Sequence, residues 1–161
     1  MTLFERWRQG LSTLFSQQPT AYTRITRTPV YVEDQPGLAG TYANGAITIS
    51  PGHWDVIPHE SAHQLYDQAN LKARARQLAP AVGEAQRNFI LASPTYRNMA
   101  DAGGAEQLSD EGLGFSIGDP RATGYVDTVA NAIQNPSIAA KLRRLNSNAL
   151  GSRKAKEALF D

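Results

Sequence analysis

Residues 59–63 read His-Glu-Ser-Ala-His, and their types and spacing suit metal-dependent hydrolysis. On a helix, residues four apart lie one turn above each other, so His59 and His63 can present two imidazoles to one metal ion. Glu60 would then lie beside the metal rather than on it, where it can act as a general base toward a metal-activated water. The alternative is a pair of histidines that are simply solvated or hydrogen-bonded on a helix face.

A catalytic zinc site usually has three protein ligands and one open position, so a third ligand must come from elsewhere in the chain. The candidate is Glu111, which on a helix would share an inward-facing stripe with Leu108 and Phe115. A carboxylate buried there without a partner would cost several kcal/mol, and a metal ion is a suitable partner. Glu106 and Asp110 would project from a different side of that helix.

Two glycines beside Glu111 favour this choice. Gly112 and Gly114 would allow a second helix to approach closely, as expected where two helices meet across an ion. Glu111 could instead be an ordinary surface acid. The competing candidates for the third ligand are Glu84, Glu106 and Asp127.

The motif at 59–63 and the later Glu111-Gly112-Leu113 resemble the zincin metallopeptidases, and within them the gluzincins. In that family a histidine pair on the active-site helix is joined by a glutamate from a later helix. The resemblance covers about residues 38–117. It implies a zincin-like fold, Zn²⁺ held by His59, His63 and Glu111, and hydrolysis of a peptide bond with Glu60 as general base. It also implies that the strand predicted at 46–50 receives an extended substrate by strand addition.

The chain departs from the thermolysin-like pattern Asn-Glu-x-x-x-Asp, because Asp110 precedes Glu111 and Phe115 replaces the aspartate. Asp67, four residues after His63, could orient an imidazole, and a solvated aspartate is an equal alternative. The candidates for a residue that assists the oxyanion are Tyr96, Tyr125 and His53.

The composition predicts one domain without a strong overall charge. The 161 residues, 41% of them hydrophobic, can bury one sizeable core. The formal net charge of +1 provides no field that would collect nucleic acid or anionic membrane. Because the chain has no cysteine, a metal must be held by nitrogen and oxygen. We see no signal peptide and no run of the roughly 20 apolar residues that span a membrane, so we expect a cytoplasmic location.

We expect an α+β fold, in which a small antiparallel sheet of about three strands precedes a mainly helical, zincin-like part. The zincin-like domain would span 21–150, with an N-terminal amphipathic helix at 1–20 and a basic C-terminal tail at 151–161. Asn44-Gly45 suits a type I′ turn and predicts a hairpin. Strands are predicted at 24–27, 30–32, 40–43 and 46–50.

Everything after Pro51 is predicted to be helical. Asp55 would cap a helix that runs to about Leu78, and Pro80 would start the next helix. The inward stripe of that second helix would be Val82, Ala85, Phe89 and Ala92. A loop is predicted at 93–103 and a third helix from Gly104 to about Ile117. Asp119-Pro120 and Asn135-Pro136 would begin the last two helices.

The expected function is therefore a zinc-dependent metallopeptidase that acts on a peptide or protein substrate. The alternative is a catalytically inactive zincin-like module for binding or assembly. Nucleic-acid binding would depend on basic residues near the C-terminus, where Phe160 is the one aromatic, and such residues are usually just solvated. We therefore expect no nucleic-acid partner. The basic residues are Lys141, Arg143, Arg144, Arg153, Lys154 and Lys156.

Overall fold

The computed structural model describes Leu3, residues 21–94 and residues 104–160. Helix α1 (Ala21–Thr26) precedes strands β1 (Val30–Val32), β2 (Gly40–Ala43) and β3 (Ala46–Ile49). The helices that follow are α2 (Ile57–Gln68), α3 (Ala75–Leu78), α4 (Glu84–Ala92), α5 (Ala105–Ser116), α6 (Thr123–Ala132) and α7 (Pro136–Phe160). Short 3₁₀ turns lie at Trp54–Val56, Leu71–Arg74, Ala79–Ala81 and Pro120–Ala122. The predicted α+β class is confirmed.

The three strands form one sheet in the order β1-β3-β2. The predicted hairpin is confirmed, with φ of 52° at Asn44 and 78° at Gly45, both positive as a type I′ turn requires. The prediction of an antiparallel sheet is wrong, because β1 runs parallel to β3 with Val30 opposite Ile47. The segment between β1 and β2 carries the chain past the hairpin, so β1 lies on the far side of β3.

The strand predicted at 24–27 is also wrong, since Ala21–Thr26 forms helix α1. Ile25 and Thr26 are buried where α1 packs against α2 and α7. Thr26 Oγ1 donates a hydrogen bond to the Tyr22 carbonyl one turn earlier. Packing against two helices has overridden the β-propensity of these residues. The amphipathic helix predicted at 1–20 falls outside the described residues apart from Leu3, whose side chain is exposed.

The single helix predicted from Asp55 to Leu78 is interrupted. Helix α2 ends at Gln68, and Asn70 adopts a left-handed conformation with φ of 53°. The residue at the N-cap is Val56, and Pro58 lies in the first turn, where its missing N–H costs no helical hydrogen bond. Asp55 belongs to the preceding 3₁₀ turn instead of capping the helix.

Helix α4 begins at Glu84 rather than at Pro80, and the face it buries is not the predicted one. Gln86 and Ile90 point inward, whereas Phe89, predicted to be inside, is 58% exposed. The predicted loop at 93–103 lies mostly outside the described residues. The third predicted helix is confirmed as α5.

The last two helices begin close to their predicted starts. Asp119 accepts a hydrogen bond from the Arg121 amide, but Pro120 starts a 3₁₀ turn and α6 begins only at Thr123. Asn135 Oδ1 accepts a hydrogen bond from the Ser137 amide at the start of α7. Residues 151–160, predicted as a tail, continue α7 without a break.

The main core lies between α2 and the helices α5, α6 and α7, and a smaller core lies between α2 and the sheet. Both cores contain fully buried aliphatic side chains, and the burial of this apolar surface stabilises the fold. The main core includes Leu65, Leu113, Val129, Leu142 and Leu145, and the smaller one is Val30, Ile47, Ile49 and Ile57. Within the described ranges, no helix is both long and apolar enough to cross a membrane.

Candidate metal centre

Helices α2 and α5 pack side by side in opposite directions, and their contact positions the candidate site. Near one end, the Tyr66 hydroxyl and Ser109 Oγ share a hydrogen bond of 2.6 Å. Near the other end, Gly114 lies so close to His59 that an added Cβ would come within 2.6 Å of the imidazole. Because residue 114 has no side chain, there is room for the His59 ring between the helices.

The side chains of His59, His63 and Glu111 converge between these helices. His59 Nε2 and His63 Nε2 are 3.0 Å apart. The Glu111 carboxylate bridges them, with Oε2 3.3 Å from His59 Nε2 and Oε1 3.4 Å from His63 Nε2. The structure thus brings together the three residues that the sequence suggested as ligands.

These distances allow the three side chains to share one ion. Two ligand atoms that are each about 2.05 Å from a tetrahedral zinc lie about 3.3 Å from each other. The 3.0 Å between the two Nε2 atoms is close to that length, and Glu111 places one oxygen near each nitrogen, Oε2 3.3 Å from His59 Nε2 and Oε1 3.4 Å from His63 Nε2. The donors are two imidazole nitrogens and one carboxylate, a set that zinc accepts.

The Glu111 carboxylate also lacks a full set of hydrogen bonds. Its Oε2 atom is buried and accepts no hydrogen bond within the described part of the chain. A buried carboxylate oxygen without a donor is costly, so this position calls for a positively charged partner. Either a protonated His59, whose Nε2 lies 3.3 Å away, or a metal ion between the two histidines would be that partner.

Asp110 contacts the Nδ1 atom of His63. Asp110 Oδ1 lies 2.7 Å from His63 Nδ1, on the side of the ring away from Glu111. Burial alone would lower the pKa of His63, but the hydrogen bond and charge of Asp110, with the charges of Glu111 and Glu60, raise it to about 9. A metal requires the neutral ring nitrogen, so metal binding would release this proton.

This contact corrects two expectations. Asp110 was expected to project away from the site, and Asp67 was the candidate to orient an imidazole. Asp110 instead reaches His63 from the flank of α5, because the His63 ring extends across the gap between the helices. Asp67 is exposed and lies near Tyr42, where its charge helps to raise the pKa of the tyrosine after burial, the larger cause.

Glu60 lies on the sheet side of the histidine pair. It is 6% exposed, and His59, Glu60 and His63 each offer one atom within 4.8 Å of the others. Burial raises the pKa of Glu60, while the charges of His63 and His59 offset part of that rise. A carboxyl group with a raised pKa beside a possible ligand cluster is suited to accept and return a proton.

The edge strand β2 passes directly beside Glu60. A Cβ on Gly40 would come within 3.4 Å of Glu60 Cγ and 2.8 Å of Val56 Cγ2. The strand expected to receive a substrate, β3, is the central strand, so both of its edges are occupied. Among the described strands, the edge next to Glu60 that remains open belongs to β2.

The other candidate residues lie away from the cluster. Glu84 and Asp127 are exposed on α4 and α6, and Glu106 pairs with Lys72 at 3.2 Å. The candidates for oxyanion assistance gain no support from their positions. The Tyr125 hydroxyl donates to the Ser109 carbonyl at 2.7 Å, His53 is exposed, and Tyr96 lies outside the described residues.

An aromatic contact beside His59 was not anticipated. The ring centroids of His59 and Phe115 are 4.5 Å apart, and those of Phe115 and Phe89 are 4.9 Å apart, both edge to face. The stripe shared by Glu111 and Phe115 was a sequence signal for the first contact. The second was not expected, because Phe89 was predicted to face the core.

Comparison of the chain with protein-family models, with curated proteins and with solved structures gave no match.

Proposed function

We propose that this protein is a zinc-dependent metallopeptidase that hydrolyses a peptide bond of a peptide or protein substrate. The observation that carries the proposal is the convergence of His59, His63 and Glu111, whose side-chain atoms contact one another at 3.0 to 3.4 Å, with the buried carboxyl of Glu60 beside the two histidines. The resemblance of residues 59–63 and 111–113 to the gluzincins agrees with it.

Each residue of the cluster has a separate role in this proposal. His59, His63 and Glu111 would hold the ion, and Asp110 would orient the His63 ring, with its Nδ1 proton directed to the carboxylate. Zinc would supply Lewis acidity, which polarises a carbonyl group and lowers the pKa of water.

Glu60 would move the proton. Its carboxylate accepts one proton from the attacking water as the water oxygen bonds to the carbonyl carbon. The same carboxyl group then delivers that proton to the amine nitrogen as the carbon–nitrogen bond breaks. The raised pKa of Glu60 supports both halves of this transfer, since the group must hold the proton between them.

The open edge of β2 is the place where the substrate backbone would bind. Ser50 N donates to the Ala39 carbonyl, and in an antiparallel ladder this pairing directs the backbone groups of Gly40 and Tyr42 away from β3. An extended peptide that bonds to those groups would run past Glu60.

The proposal is tested by elemental analysis of the purified wild type and three variants after exposure to zinc. We expect about one zinc per wild-type chain, and a loss or strong weakening of binding in His63→Ala and Glu111→Ala. His53→Ala is the matched control, because His53 is the remaining histidine and lies exposed outside the cluster. A wild-type protein that binds no zinc would overturn the proposal.

A further inference from the structure

A row of three aromatic rings leads outward from the candidate metal centre. His59 contacts Phe115 on α5, and Phe115 contacts Phe89 on α4, with centroid distances of 4.5 and 4.9 Å. Phe115 lies one turn after Glu111 on the same face of α5, which places the row next to the bond that the proposed enzyme would cleave.

The outer ring of this row is open to solvent. Phe89 is 58% exposed, although Ile90 beside it on the same helix is fully buried. Both ring contacts are edge to face, at interplanar angles of 65°, so the three rings present an angled apolar surface instead of a closed stack. Exposed apolar surface that continues directly from a polar reaction site is a common feature of ligand sites.

We propose that Phe89 and Phe115 bind an apolar side chain of the substrate, aromatic or large aliphatic, adjacent to the bond that is hydrolysed. This inference rests on the proposed function, because it assigns a substrate class to the same site. Burial of such a side chain against the two rings would remove apolar surface of both partners from water. The polar requirements of the substrate backbone would be met separately, at the edge of β2.

The inference can be tested without knowing the natural substrate, by using small hydroxamates, which bind zinc through their own oxygen atoms. Acetohydroxamate carries only a methyl group, 3-phenylpropanohydroxamate adds an aromatic ring, and 6-aminohexanohydroxamate adds a cationic chain. Binding of each probe to the zinc-loaded protein is measured by isothermal titration calorimetry. The ratio of the phenyl to the methyl affinity reports the contribution of the side-chain site.

We expect the wild type to bind the phenyl probe about tenfold more tightly than acetohydroxamate, the gain expected from burying roughly half of a phenyl ring. Phe89→Ala should reduce this ratio to within about twofold of unity, and Phe89→Leu should restore part of it. Leu91→Ala is the matched control, because Leu91 is also an exposed apolar residue of α4 but projects from another side of that helix.

The outcomes separate this inference from the proposed function. If acetohydroxamate binds the zinc-loaded protein but the phenyl probe gains nothing, or Phe89→Ala leaves the ratio unchanged, the aromatic site is overturned and the zinc site stands. Tighter binding of the aminohexyl probe than of the phenyl probe would also overturn the apolar assignment. A protein that takes up no zinc would overturn both proposals together.

Discussion

Asp110 Oδ1 lies 2.7 Å from His63 Nδ1, while Nε2 of the same imidazole lies 3.4 Å from Glu111 Oε1. Two neighbouring acids of α5 therefore hold the two nitrogens of one ring from α2. When the ring is neutral, a hydrogen bond from Nδ1 to Asp110 would leave Nε2 free to bind a metal.

Removal of the Asp110 carboxylate should weaken zinc binding without abolishing it. We expect Asp110→Ala to lower the zinc affinity about 10- to 100-fold, measured by competition with a chelator of known affinity. Glu106→Gln is the control, since Glu106 belongs to the same helix but pairs with Lys72. Equal zinc affinity in Asp110→Ala and the wild type would show that His63 needs no partner at Nδ1.

Replacement of Glu60 separates a peptidase from an inactive metal-binding module. We expect Glu60→Gln to retain zinc and to lose at least about a hundredfold in hydrolysis, because the amide cannot accept the proton. Hydrolysis is measured by mass spectrometry of a peptide library, and zinc by elemental analysis. Because Glu60 is buried with a raised pKa, the neutral glutamine should not lower the melting temperature. Turnover equal to that of an exposed-site control, Glu84→Gln, would exclude Glu60 as the base.

A methyl group at Gly114 should displace His59. The added Cβ would lie 2.6 Å from His59 Cε1 and 2.8 Å from both ring nitrogens, so the ring must move. We expect Gly114→Ala to reduce zinc affinity at least about tenfold, a loss of about 1.4 kcal/mol of binding free energy. Gly151→Ala in α7, where nothing lies within 4 Å of the added Cβ, should keep wild-type affinity and raise the stability by about 0.5–1 kcal/mol. Zinc affinity unchanged in Gly114→Ala would contradict the close approach.

Asp119 should make the stability of the fold dependent on pH in the acid range. Hydrogen bonds from the Arg121 side chain hold the pKa of Asp119 below its usual value, and Gln86 Nε2 donates to Oδ2 at 2.7 Å. A lowered folded pKa means that this stabilisation is complete above the unfolded value of about 3.9 and is lost as the pH falls through the folded value.

The corresponding variant is Asp119→Asn, compared with the wild type by chemical denaturation. We expect the free energy of unfolding of the variant to be about 2 kcal/mol lower at pH 7, because hydrogen bonds to a charged group are removed. This difference in free energy between wild type and variant should shrink as the pH is lowered below about 4. The exposed residue Asp127 provides the control substitution, Asp127→Asn. A difference in unfolding free energy between wild type and Asp119→Asn that stays constant with pH would show that Asp119 does not cause the pH dependence.

The sequence was most informative where the physical signal was local. Asn44-Gly45 predicted the hairpin, because the turn needs two residues with positive φ and little else. The four-residue spacing of His59 and His63 predicted that they share one face, because residues four apart on a helix lie one turn above each other. The inward stripe through Glu111 favoured it over Glu84, Glu106 and Asp127, and Glu111 is the one of these four that lies against both histidines; its role as a ligand stays a prediction.

The incorrect predictions concern features that are set by contacts between two elements. The parallel pairing of β1 is set by how the chain returns past the hairpin, which leaves no local pattern. Asp110 was assigned to the wrong side because a single helix was considered, whereas the His63 ring reaches it from the neighbouring helix. The face of α4 was predicted incorrectly, because the side chains that it buries, Gln86 and Ile90, are chosen by the neighbouring helices and not by the apolar stripe of α4 itself.

The strand order β1-β3-β2 also implies an order of assembly. The hairpin closes over two residues, an event of microseconds, whereas β1 finds its described partner only when β3 is already in place. We therefore expect docking of β1, which is the nonlocal step, to be slower than closure of the hairpin. Loss of the Asn44-Gly45 turn would then slow formation of the whole sheet, because β1 pairs with a strand of that hairpin.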